Sequence, residues 1–80
     1  MQYLTEEQQY NVEDGSKVLA LYIGWIEITG TVAGSRAVYG VSKVYDVILD
    51  ADLLIPWCTG TRYKAGDCVG IEHKNIVGII

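Results

Sequence analysis

Apolar residues in this chain recur mostly with the period of extended structure. Trp25, Glu27 and Thr29 fall on one side of a stretch whose other side carries Ile26 and Ile28. Further on, Val44, Asp46 and Ile48 share one side, and Lys43, Tyr45, Val47 and Leu49 the opposite one. Such two-residue alternation is how side chains leave a strand. Two stretches break it: Val18 to Ile23 and Ile76 to Ile80 are apolar at odd and even positions alike. A strand apolar on both faces needs cover on both, and a chain of 80 residues has little material to supply it. The expectation is that a short N-terminal segment covers part of the sheet, or that another protein does.

The elements follow from this pattern and its punctuation. Thr5-Glu6-Glu7-Gln8 has the form of a capping box. It predicts a helical turn over residues 5–10 that could lay Leu4 or Tyr10 over one end of a sheet. Asn11 to Ser16 reads as loop, with Glu13-Asp14-Gly15-Ser16 as its turn signal. A strand is expected from Lys17 to Ile23, with Gly24 marking a bulge or sharp bend. A second runs from Trp25 to Ala33, a turn follows at Gly34-Ser35-Arg36, and the return begins between Ala37 and Gly40. Lys43 to Leu49 is the next strand, closed by Asp50-Ala51-Asp52. Leu53 to Trp57 is short and extended, because Pro56 biases Ile55 away from helix. Cys58 to Lys64 reads as loop. Ala65-Gly66-Asp67 turns into a strand from Cys68 to Glu72, and His73-Lys74-Asn75 turns into the last, from Ile76 to Ile80. Residues 1–16 thus form an acidic N-terminal segment with a short helix, and residues 17–80 a small β domain. The expected fold is mostly β, a five- or six-stranded antiparallel barrel with a short N-terminal helical turn.

At the level of fold, this order resembles the small barrels of SH3-like and OB-like type. Trp25–Val32 and Tyr39–Leu49 would be two strands around a loop. Lys64-Ala65-Gly66-Asp67-Cys68-Val69 is similar to the K-x-G-D-x-V entry into a barrel strand. Barrels of these types host many unrelated tasks, so the resemblance implies no activity.

Composition and charge narrow the field. Half the residues are hydrophobic and a fifth charged, which is ordinary for a globular domain. The net charge of −4 is an N-terminal matter. Glu6, Glu7, Glu13 and Asp14 stand without a base before residue 17, and six bases then balance six acids. A neutral body without a basic cluster argues against tight binding to a phosphate backbone. No apolar run reaches the roughly 18 to 20 residues that span a bilayer. The start, Met1 to Glu7, lacks a basic stretch followed by an apolar one, so a cytoplasmic location is expected.

Reactive groups are sparse. Cys58 and Cys68 are expected to be free thiols, a disulfide between neighbouring strands being the alternative. Asp46, Asp50 and Asp52 could converge on a divalent cation, but they lack the calcium-loop spacing and read better as turn and edge residues. His73 could serve as a base, yet nothing near it in sequence supplies a nucleophile. Nothing in the chain calls for a metal or another cofactor, and a non-enzymatic role is expected.

Contact residues are easier to nominate. Trp57, Arg62, Tyr63 and Lys64 lie in or beside one loop, and Trp, Tyr and Arg are the residues enriched at binding hot spots. Against this, Trp57 could plug the core and Tyr63 line a strand. Trp25 joins the candidates because it shares its face with Glu27 and Thr29. A bulge at Gly24 that turns it inward is the slightly favoured alternative. Ile76, Val77, Ile79 and Ile80 are the candidates for self-association, through addition of the last strand to a neighbour's sheet. The expected function is therefore a small protein-binding module that docks on a partner or on itself. An inhibitor or adaptor from a phage or other mobile element would have this character. A barrel for single-stranded nucleic acid, with Trp57 and Tyr63 stacking on bases, and a structural part of a phage-like assembly are the alternatives.

Overall fold

The computed structural model describes residues 1–38, 42–55, 57 and 61–80, with the backbone alone at 61 and 62. Eight strands are described: β1 (Gln2–Tyr3), β2 (Lys17–Tyr22), β3 (Ile26–Val38), β4 (Ser42–Leu49), β5 (Leu53–Leu54), β6 (Thr61–Tyr63), β7 (Cys68–Glu72) and β8 (Ile76–Ile79). A short helix α1 (Glu6–Tyr10) follows β1, and a single 3-10 turn (His73–Asn75) joins β7 to β8. Six strands form one antiparallel sheet in the order β1-β8-β2-β3-β4-β7, and β5 pairs with β6 in a separate ribbon. The architecture is mostly β, as expected, but the six-stranded sheet is not closed into a barrel.

Alternation decides which side chains are hidden. Val18 and Ala20 of β2, Ile28 and Val32 of β3, Tyr45, Val47 and Leu49 of β4, and Val69 and Ile71 of β7 are buried together with Ile76 of β8. Val12 and Leu53 close over them, with Leu4, Tyr22, Ile26, Tyr63 and Ile79 packed at the margin. The doubly apolar β2 divides accordingly: Val18 and Ala20 are fully buried, while Leu19 and Leu21 on the other face are only half-buried. In the last strand Ile76 lies in the core, and a register shift against β2 lets Ile79 pack against it too.

The N-terminal segment supplies part of the cover, as its capping box predicts. The Thr5 hydroxyl accepts from the Gln8 amide at 3.3 Å, and the Gln8 side chain accepts from the Thr5 amide at 2.9 Å. Buried Tyr45 then fastens the chain beyond the helix. Its hydroxyl donates to the Gln9 carbonyl at 2.7 Å and accepts from the Val12 amide at 3.0 Å. The Gln9 amide group reaches the Ile76 carbonyl at 2.7 Å. Ahead of the helix, β1 pairs along β8. That approach needs Gly78, where a Cβ would stand 2.6 Å from the Gln2 carbonyl oxygen.

Two expectations from local signals are corrected. Gly34-Ser35-Arg36 does not turn the chain; it continues β3, opposite Asp46, Tyr45 and Val44 of β4. A register shift between Val32 and Gly34 absorbs the irregularity, and the Arg36–Asp46 ion pair at 2.7 Å spans the two strands. Residues 39–41, between β3 and β4, are outside the described residues. Thr61–Tyr63, expected as loop, is strand because it pairs with β5. Gly24 is a sharp bend rather than a bulge, one of the two forms its position allows: it lies in the connection between β2 and β3.

Candidate functional site

The β2–β3 connection is built against local preference. Trp25 N donates to the Tyr22 carbonyl at 3.3 Å, closing a turn in which Ile23 has φ 47° and Gly24 φ 87°. Gly24 adopts the left-handed region at no steric cost, and Asn or Gly is the residue expected before it. Ile23 is β-branched, and this backbone costs such a residue about 1–2 kcal/mol. The side chain held there is more than half exposed, so burial does not offset the strain.

Apolar neighbours gather around it. Trp25 is more than half exposed, which overturns the expectation that it turns inward. Trp57 is equally exposed and lies on Trp25, ring centroids 5.6 Å apart at an interplanar angle of 31°. Leu54, the outward residue of β5, is exposed as well. Four large apolar side chains are thus presented to water in one region of an 80-residue chain.

A groove runs beside them. β4 begins to pair with β3 only at Gly30, opposite Leu49. There the Asp50 amide donates to the Thr29 carbonyl at 3.0 Å, and Ala51 and Asp52 lead away into β5. The space between this departing segment and the first half of β3 measures about 420 Å³ and is lined by Leu19, Ile26, Glu27, Thr29, Asp52 and Leu54 among others. Asp50 itself is tied back: Lys17 Nζ donates to its carboxylate at 2.8 Å. That bond, aided by the lysine's charge and a Thr29 hydrogen bond, holds Asp50 below its ordinary value of 3.8.

The structure separates the other nominated residues. Tyr63 stands opposite Leu53 and meets Tyr22 edge-on at 5.9 Å, packed against the core. Lys64 is exposed at the turn after β6, its amide held by the Asp67 carboxylate at 2.9 Å. Arg62 belongs to β6 by its backbone, and its side chain lies outside the described residues. Among the self-association candidates, Ile76 is fully buried, Val77 and Ile79 are half-buried, and Ile80 alone is exposed. The strand that holds the first three, β8, has β1 on one side and β2 on the other.

The candidate reactive groups are dispersed. Asp46 pairs with Arg36, Asp50 with Lys17, and Asp52 accepts from the Ala65 amide at 2.9 Å. Among the described residues, no three of His, Cys, Asp and Glu are grouped to hold a metal. Cys68 opens β7 and His73 follows its other end, which sets them about 16 Å apart at the usual rise of a strand. His73 is occupied by the fold: its Nδ1 accepts from the Lys43 amide at 3.2 Å and its ring meets Tyr10 edge-on at 5.1 Å. Cys68 is a free, exposed thiol, and its possible partner Cys58 is outside the described residues.

Sequence reasoning missed Ile23, Leu54 and the Glu27–Asp52 groove. Gly24 was a usable turn signal, but the pairing of residues far apart in sequence left none. No protein-family model matches the chain, and no match to it is found among curated proteins or among solved structures.

Proposed function

We propose that this protein is a small, non-catalytic protein-binding module whose contact surface is the Trp25–Trp57 pair with Ile23 and Leu54. One observation carries the reading: a stacked tryptophan pair, more than half exposed, beside an isoleucine in strained backbone that is exposed too. The strain at Ile23 does not serve the stability of the free chain, and the tryptophan pair keeps most of its surface in water. Strain of this kind persists where function holds it, and tryptophan is foremost among hot-spot residues. Two such rings present on the order of 300 Å² of contact area, enough for the centre of a standard interface of about 800 Å² per partner.

The sheet supports an SH3-like reading over an OB-like one. Strands β2, β3, β4 and β7 follow as successive neighbours, and after the 3-10 turn β8 returns to pair with β2. The nucleic-acid alternative is less well supported, since the groove beside the tryptophans is lined by Glu27 and Asp52, which would repel phosphate.

The test is affinity capture with the immobilised protein and its Trp25→Ser/Trp57→Ser double variant. Proteins retained by the wild type and released by the variant, with the native circular dichroism spectrum kept, carry the proposal. Equal retention by both baits, or none by either, overturns it.

A further inference from the structure

We infer that the groove beside the tryptophan pair takes an extended, lysine- or arginine-bearing segment of the partner, which adds as a strand to the open half of β3. This rests on the docking reading above and names the chemistry that reading lacks.

The first support is backbone. Val32 N donates to the Ser16 carbonyl, and from there the antiparallel ladder alternates down β3. The amide and carbonyl of Glu27 therefore turn away from β2, as do those of Thr29, whose carbonyl takes the Asp50 amide. Glu27 is given no such neighbour, because β4 pairing starts at Gly30. Among the described residues no strand flanks Ile26 to Ile28 on that side. An open edge of this kind is a template for a further strand.

The second support is charge. Glu27 and Asp52 both line the groove, and among the described residues neither has a cation within ion-pair distance. No described lysine or arginine lines it. A second copy of this chain would bring the same two carboxylates near their counterparts, so charge favours a basic partner over self-association. Alternation in an added strand would set a basic side chain beside Glu27, and its apolar neighbours on the opposite face, that of Ile26 and Ile28.

The experiment is an NMR titration of the whole ¹⁵N-labelled protein with two capped pentapeptides, one alternating lysine and valine, the other glutamate and valine. The lysine peptide is expected to shift the Glu27 and Ile28 amides and the Trp25 indole. The glutamate peptide is expected to leave them in place. Glu27→Lys, at an exposed position that keeps the fold, is expected to weaken the lysine peptide by about tenfold. Raising the salt to about 0.5 M should weaken it in the wild type. Shifts concentrated on Glu6 to Asp14, equal response to both peptides, or an unchanged affinity in Glu27→Lys would each overturn the inference. The two proposals fail separately. A tryptophan variant that still captures the same proteins removes the docking reading whatever the peptide does. A Glu27→Lys variant with unaltered peptide affinity removes the groove while the tryptophan dependence stands.

Discussion

Two regions of this small sheet are finished in opposite ways. Where α1 meets β4 and the 3-10 turn, the polar groups find partners within the chain. The Tyr45 hydroxyl makes two hydrogen bonds, Gln9 reaches the backbone of β8, and Lys43 Nζ donates to the Tyr10 carbonyl at 3.1 Å while lying over the Tyr10 and Tyr45 rings. Where β2 meets β3, an isoleucine is held at positive φ, two tryptophans face water, and a strand edge with a carboxylate beside it is left open. The first region stabilises the fold. The second costs it free energy. The comparison teaches where to look for function when the described residues group no reactive side chains: at features that the fold would be more stable without.

Breaking the first region should have the largest effect. Tyr45→Ala removes a fully buried ring and both hydrogen bonds that fasten the N-terminal segment. Loss of an aromatic from a core costs about 3–5 kcal/mol, against a total of roughly 4–12 kcal/mol for a domain this size. The variant should be unfolded or nearly so at 37 °C by circular dichroism. Tyr45→Phe keeps the ring and leaves the Val12 amide without its acceptor. It should cost about 1–3 kcal/mol in urea denaturation, and hydrogen exchange should quicken in α1 before it does in β3.

In the second region the expected sign reverses. Ile23→Asn places a residue suited to positive φ in the turn and should stabilise the domain by about 1 kcal/mol, raising the thermal midpoint by roughly 4–8 °C. The same variant should capture partner proteins less well. A fall in the midpoint would mean that Ile23 makes contacts worth more than its strain. Trp25→Ser should cost no more than about 1.5 kcal/mol, the value of its stacking on Trp57. A larger loss would move Trp25 from the contact surface to the fold.

The smallest effect concerns the anchor of the groove. Asp50 is held below its ordinary 3.8 in the folded state, chiefly by the bond from Lys17. Its contribution is therefore complete above that ordinary value and lost as the pH falls through the lowered folded one. Asp50→Asn should be slightly less stable than the wild type at neutral pH, and the gap should narrow as the pH falls below 3.8 and close below the lowered folded value. A gap that persists in acid would make the role of Asp50 one of packing rather than charge.

Much of the scaffold was legible because its causes are local. The capping box at Thr5–Gln8 needs only residues within one turn. The alternation of β4 picked out Tyr45, Val47 and Leu49 as one face, and that face is the buried one. The turn at Ala65–Asp67, the strand Cys68–Glu72 and the turn at His73–Asn75 lie where their residues placed them. Gly34-Ser35-Arg36 misled because pairing with β4 outweighs the turn preference of three residues. The same limit applied to Trp25. Its exposure depends on how β2 turns into β3 and on Trp57, which meets it from elsewhere in the chain.

By itself, then, the amino-acid order determined a chain of short strands, which residues of each share a face, and a capped N-terminal turn, since period and capping act between near neighbours. Only the tertiary structure decided that the last strand lies inside the sheet, that Tyr45 holds the N-terminal segment, and that Trp25, Trp57 and the Glu27–Asp52 groove share a region. These depend on contacts between distant parts of the chain, set by strand register and by the point at which β4 leaves β3. No local preference encodes either.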